Sequence, residues 1–206
     1  MLIEQPPSFI RKLYPSLNWM EETNKNEVFI TFDDGPTAGV TDKVLSLLKD
    51  HNAKATFFCL GKNVNQNPDL YQNILEAGHS VGNHTHSHLN GWKTTTKEYL
   101  SDALKAKEYI QSNLFRPPYG KMKPAQIQAL KNHFKVVMWS NLSRDYDSFV
   151  SVDQVTDYAT KNLNAGSIIV FHDSLKAREK VLPVLERTLL FLAKKGYKAS
   201  AIKPSS

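Results

Sequence analysis

The sequence predicts one α/β domain whose mainly parallel sheet forms an irregular seven-stranded (β/α) barrel, with its active site at the C-terminal ends of the strands. Three observations predict it. Short apolar runs alternate with segments of helical spacing, the pattern of strands joined by helical crossovers. The runs number seven, and 206 residues would be a minimum for eight strands, so an incompletely closed seven-stranded ring fits better than a full barrel. An open doubly wound sheet is the other architecture. The reactive side chains also cluster just beyond strand ends, the face on which such barrels assemble active sites.

In chain order, residues 1–26 form an N-terminal extension. Phe9, Ile10, Leu13, Tyr14, Leu17 and Trp19, interleaved with Arg11 and Lys12, are expected to cap the bottom of the core; peripheral membrane or cell-wall contact is the alternative. Prolines and charges interrupt the apolar run a signal peptide needs, so a cytoplasmic location is expected, with cell-envelope association as the alternative. No window approaches the ~20 apolar residues of a membrane span. Residues 27–206 then form the catalytic domain. Its strands are expected at 28–32, 55–59, 80–83, 114–116, 134–139, 167–171 and 198–202.

Helical spacing recurs at Val44, Leu47 and Leu48, and at Val181, Val184, Leu185, Leu189 and Leu192. Thr95 with Glu98 and Ser151 with Gln154 fit capping boxes, Pro124 suits a first turn, and Gly196 suits a helix end. The single cysteine, Cys59, falls inside an apolar strand as a buried thiol, and no internal disulfide can form. A net charge of +6, without blocks of like charge, draws polyanions without naming one. No nucleic-acid partner is expected, and the protein is read as a monomer.

Asp33 and Asp34 follow the first strand in Thr31-Phe32-Asp33-Asp34-Gly35-Pro36. Strand alternation would send the two carboxylates to different surroundings, one able to bind a metal and the other to handle protons. Four of the seven histidines fall within residues 79–88. His84 and His88 would offer their nitrogens to one ion if the segment made a helical turn, and with one carboxylate they would complete three ligands of a catalytic zinc site. His86 is an alternative ligand or, like His79, a ring satisfied by backbone groups; His51 and His133 read as surface residues. Arg116 ends the fourth strand before a stiff Pro117-Pro118-Tyr119-Gly120 turn. Its guanidinium can orient a carboxylate, and the turn can aim an amide at an oxyanion. Asp145 follows the fifth strand. His172 ends the sixth, placed to act as a general acid.

In this order the segments resemble the polysaccharide deacetylase family of carbohydrate esterases, whose shared domain is called the NodB homology domain. The similarity runs from about Val28 to the last strand. Thr31 to Gly35 match the first motif letter for letter, His84-Thr85 with His88 match the second, and residues 116–120 match the third completely. Val170-Phe171-His172 matches the fifth apart from a Leu-to-Val exchange. The resemblance implies Asp33 as base, Asp34, His84 and His88 as metal ligands, and Arg116 as the residue orienting the base. It further implies an oxyanion contact from the Tyr119 amide, and His172 as acid tuned by Asp145. The fourth motif departs from the pattern: Leu142 stands where the family has an aspartate and Tyr146 where it has tryptophan, which bears on the groove wall and the substrate. Trp139 lies near enough in sequence to add aromatic surface, with core packing as its main expected role.

The function so implied is metal-dependent removal of N-acetyl groups from amino sugars of a peptidoglycan- or chitin-like glycan. The expected metal is Zn2+, with Co2+, Ni2+ or Mn2+ as alternatives. Deformylation or deacetylation of a lipid-linked sugar and O-acetyl ester hydrolysis on xylan are related readings. A 2-His-1-carboxylate iron oxygenase and an inactive carbohydrate-binding protein are the readings from other classes.

Overall fold

The computed structural model describes residues 4–204. Their elements run α1 (Ser8–Leu13), β1 (Glu27–Asp33), α2 (Thr41–Asp50), β2 (Thr56–Cys59), α3 (Gly61–Gln66), α4 (Pro68–Glu76), β3 (Ser80–Asn83), α5 (Thr96–Lys107), β4 (Leu114–Phe115) and α6 (Pro124–Leu130). They continue with β5 (Lys135–Val136), β6 (Asn141–Leu142), α7 (Val152–Thr160), β7 (Ile168–His172), α8 (Val181–Lys194) and β8 (Lys198–Ser200). The sheet is parallel throughout, in the order β5-β4-β3-β2-β1-β7-β6, with β8 paired to β1.

Eight strands occupy seven positions around the curl. β1 pairs with β7 along one flank; on the other, β8 covers Glu27 to Phe29 and β2 covers Thr31 to Asp33. β8 and β2 therefore share a flank end to end, and the Ile202 amide donates to Thr56 Oγ1 at 2.8 Å across their junction. The fifth expected strand differs most: within 134–139 only β5 is strand, and after a break the separate strand β6 follows beyond that range, while β4 and β8 end one and two residues short of expectation. Hydrogen bonding explains the break. The carbonyls of Val137 and Met138 accept from Arg116, while Asn18 accepts from the Met138 amide and donates to the Val136 carbonyl.

β5 and β6 end the sheet without pairing to each other. The N-terminal extension runs along this seam instead of only capping the bottom: Asn18 bridges Val137, Met20 bridges Ser167, and Glu4 accepts from the Leu142 amide. Leu17 is buried there, whereas Phe9 and Leu13 remain exposed. Met1 to Ile3 of the extension, and the last two residues of the chain, lie outside the described residues.

Alternate strand residues feed two cores. Val28, Ile30, Phe32, Phe57, Ile169 and Phe171 meet the surrounding helices, and Phe29, Phe58, Ile168 and Val170 point into the barrel. α8 packs Val184, Leu185, Leu189 and Leu192 against the first core, each contributing on the order of 1.5–3 kcal/mol of hydrophobic burial. Both capping boxes form, at Thr95 and Ser151, Pro124 opens α6, and Gly196 follows α8 with φ 73°. Cys59 is buried, and its thiol pKa is pushed up by that burial and by the charges of Asp173 and Asp33.

Candidate active site

Asp33 is the last residue of β1 and points into the barrel like Phe29 and Thr31, whereas Asp34 leaves the strand with φ 81°. That turn breaks the alternation. Both carboxylates consequently line one cleft of about 680 Å³ at the C-terminal strand ends, and their surroundings differ through their partners, not through opposite faces of the sheet. The turn itself is tied down by the Gly35 amide donating to Asp173 Oδ1 at 3.0 Å and by Asn63 Nδ2 donating to the Asp34 carbonyl at 2.7 Å. A Cβ on Gly35 would lie 1.9 Å from Asp173 Oδ2, so only glycine fits. Burial pushes the Asp173 carboxyl up to about 7, although it accepts from Thr41 Oγ1 at 2.6 Å.

Arg116 follows β4 and fills the barrel interior beneath Asp33, fully buried. Its guanidinium lies 4.1 Å from the centroid of the Phe58 ring. It donates to Asp33 Oδ1 at 2.8 Å and Thr31 Oγ1 at 2.6 Å through Nη1, to Met138 O at 2.9 Å through Nη2, and to Val137 O at 3.2 Å through Nε. Arg116 thus grips the base candidate by one bond, not a two-bond fork, and ties it to the break after β5. One side chain serves as both an ion pair and an orienting group.

His84 follows β3, and its Nδ1 lies 2.7 Å from Arg116 O. A carbonyl only accepts, so Nδ1 carries the proton and Nε2 keeps its lone pair for the cleft. Burial pushes its pKa down to about 4, against the pull of Asp33 and Asp34, which leaves the ring neutral at pH 7. His88 reaches the same point without a helical turn. Thr85 and His88 adopt left-handed backbone with φ 66° and 61°, stabilised because Asn83 Oδ1 accepts from the Thr85 amide and Thr85 Oγ1 accepts from the His88 amide. These side-chain turns compete successfully with helical hydrogen bonding.

Asp34 Oδ1 lies 3.2 Å from His88 Nε2 and 3.7 Å from His84 Nε2. Ligand atoms ~2.0–2.1 Å from a tetrahedral zinc stand about 3.3 Å apart, so this donor triangle has the size and chemistry of a metal site. Asp34 Oδ1 is buried without a hydrogen-bond partner, as an oxygen reserved for a cation would be. Although burial raises its pKa, the His88 contact and the His172 charge outweigh it and hold the carboxyl well below the usual range. Among the described residues these three form the one such cluster.

His172 ends β7, opposite Asp33 in the strand register. Asp145 Oδ1 lies 2.8 Å from its Nδ1, and Oδ2 accepts from its backbone amide at 2.8 Å. Burial favours the neutral ring, yet the Asp145 charge and hydrogen bond, with Asp34 and Asp33 behind them, raise the pKa to about 9. Asp145 comes from the loop after β6, not after a continuous fifth strand. The Tyr146 ring meets His172 edge-on at 4.7 Å, and Leu142 and Trp139 complete that wall of the cleft.

Tyr119 has φ 60°, and its half-exposed ring lies 4.6 Å from that of His88. The Gly120 and Lys121 amides bond back to Pro117 and Pro118, which fixes the turn. Of the other histidines, His79 accepts from the Ala55 amide at 3.1 Å, and His133 is exposed while His51 is partly so. His86 Nδ1 is buried without a partner, so its ring is not satisfied by the backbone, and it stands outside the donor cluster. Sequence reasoning missed Asp173 and Asn63. Asp173 was visible beside His172, but nothing in one sequence marks a carboxylate that anchors a turn 138 residues away.

Residues 20–135 match the polysaccharide deacetylase family model. A peptidoglycan-N-acetylglucosamine deacetylase of Bacillus cereus is 38% identical over 79% of this chain, which spans 64% of that relative's length. A chitooligosaccharide deacetylase of Azorhizobium caulinodans is 32% identical over 77% of this chain and 79% of its own. The crystal structure of the Bc1960 peptidoglycan N-acetylglucosamine deacetylase superposes with a TM-score of 0.83 at 34% identity, covering 89% of each chain. The strand order, the cleft at the strand ends and these matches agree: the chain belongs to the polysaccharide deacetylase family.

Proposed function

We propose that the protein is a metal-dependent hydrolase that removes N-acetyl groups from amino sugars of a peptidoglycan- or chitin-like glycan. The observation that carries this reading is the Asp34, His84 and His88 triangle, with Asp33 and His172 facing the same cleft. Asp34, His84 and His88 would hold a divalent metal, zinc in our reading, which would supply polarisation of the acyl carbonyl and acidification of a water. Asp33, held by Arg116, takes a proton from the attacking water as its oxygen bonds to the acyl carbon. The Tyr119 amide donates to the oxyanion that develops. His172 is oriented by Asp145 and protonated at neutral pH, and it gives a proton to the amine nitrogen as the C–N bond breaks. The products are acetate and a free amino sugar. An iron oxygenase would have no use for this acid and base, which disfavours that reading of the triad.

Acetate release from N-acetylglucosamine oligomers and from peptidoglycan, measured with zinc and after chelation, tests the reading. Release that chelation abolishes and zinc restores is expected; metal-replete protein that binds these glycans yet releases no acetate would overturn it.

A further inference from the structure

Trp92 is 61% exposed, yet it is not free to move. Its indole Nε1–H donates to Met122 O at 3.2 Å, its backbone amide donates to Asn90 Oδ1 at 3.1 Å, and Lys121 Nζ stands 5.0 Å from its ring centroid. The loop beneath is equally fixed. Gly91 O accepts from Gln126 Nε2 at 2.9 Å, and a Cβ on Gly91 would come within 2.3 Å of Lys121 O. A single exposed aromatic is ordinary surface. This one, however, follows His88 by four residues and is pinned to the segment just after the turn that carries Tyr119, a residue 51% exposed whose ring lies 4.6 Å from that of His88. Tyr119 lines the cleft, and the segment that continues from it supplies both Lys121, over the indole, and Met122 O, which holds the indole Nε1–H. The indole edge is occupied by a carbonyl and one face is taken by an ammonium, which leaves the other face as a flat apolar platform of fixed orientation. A pyranose ring has one axial C–H face that stacks on such a surface, and a pre-ordered ring loses little entropy in doing so.

We infer that Trp92 is a carbohydrate-stacking subsite that binds a further hexosamine ring of the same glycan, beyond the one whose acyl group is cleaved. This rests on the proposed function for its ligand class. The chain would accordingly favour oligomers long enough to occupy the donor triangle and Trp92 together.

The test compares wild type, Trp92→Ala and Trp92→Phe on N-acetylglucosamine oligomers from the dimer to the hexamer. For Trp92→Ala the hexamer-to-dimer ratio of kcat/KM should fall about three- to tenfold, the size of one aromatic stacking contact, with Trp92→Phe recovering most of it. An unchanged ratio, or an equal loss at every length, overturns the inference. In parallel, hexamer binding is titrated calorimetrically to Asp33→Asn protein with and without Trp92→Ala, so that no turnover intervenes. Weaker hexamer binding without the indole supports the subsite even if wild type releases no acetate, a result that would count against the deacetylase reading alone. Equal binding, or none to either protein, overturns the subsite.

Discussion

Replacing Arg116 separates its two tasks. In Arg116→Met the side-chain volume stays, but Asp33, only 5% exposed, loses its ion-pair partner. An uncompensated buried charge costs about 3–5 kcal/mol. The carbonyls of Val137 and Met138 lose their donor as well, at about 1–3 kcal/mol each when left unsatisfied. Together these losses approach the ~5–15 kcal/mol that holds a domain folded, so Arg116→Met is expected to be largely unfolded. Arg116→Lys keeps a cation for Asp33 but has no planar fork to reach both carbonyls. It should fold with a penalty of about 2–6 kcal/mol, which for a domain of this size lowers Tm by roughly 5–20 °C. Thermal melts of the three proteins at pH 7 measure this, and acetate release by Arg116→Lys should fall about 100-fold as Asp33 shifts. A methionine variant that melts with wild type would refute the reasoning, because neither the ion pair nor the strand break would then depend on the guanidinium.

Asp33→Asn should lower acetate release by about 10²–10⁴-fold while metal analysis finds zinc retained, since Asp34, His84 and His88 are untouched; full activity removes Asp33 as the base. The raised pKa of His172, from 6.5 to about 9, stabilises the folded state by roughly 3 kcal/mol below pH 6.5, and this is lost as pH rises through 9. In metal-free Asp145→Asn that loss between pH 6.5 and 9 should shrink, and in the metal-loaded variant the alkaline limb of turnover should move to lower pH. Equal pH dependence in both proteins would show that Asp145 does not hold the imidazolium. Gly35→Ala, whose Cβ meets Asp173 Oδ2, should destabilise by at least ~1–3 kcal/mol in urea titration, and unchanged stability would mean the turn is not anchored as described.

The fold was legible where a signal is local and repeated. β1, β2, β3 and β7 are buried runs, and α5, α7 and α8 carry their caps or apolar stripe in plain sequence. The division of 134–139 was not, because it is imposed from outside: Arg116 and Asn18 take backbone groups that a continuous strand would have used. The site follows the same rule. Residue types at strand ends marked Asp33, Asp34, His84, His88, Arg116, Asp145 and His172 as candidates, with the Tyr119 amide added by the family resemblance, but the way they come together depends on left-handed residues at Asp34, Thr85, His88 and Tyr119. Positive φ is uncommon at any residue other than glycine, and a single sequence does not mark where it falls, so the helical turn at 84–88 and the diverging carboxylates were the natural and mistaken expectations.

The altered fourth motif can be judged on the same physical grounds. The family pattern supplies two carboxylates and an indole there, and this chain keeps only Asp145. That one carboxylate already uses one oxygen on His172 Nδ1 and the other on the His172 amide, both at 2.8 Å, so the ring's orientation and charge are set without a second acid. At position 142 the side chain is an apolar one, 4% exposed, in a strand paired to β7, where a carboxylate would need a partner of its own. Tyr146 still presents an aromatic edge to His172. The departures therefore leave the His172–Asp145 pair whole and change only the cleft wall beside it, which under the proposed function is where substrate choice would be set by contacts and not by the chemistry of the step.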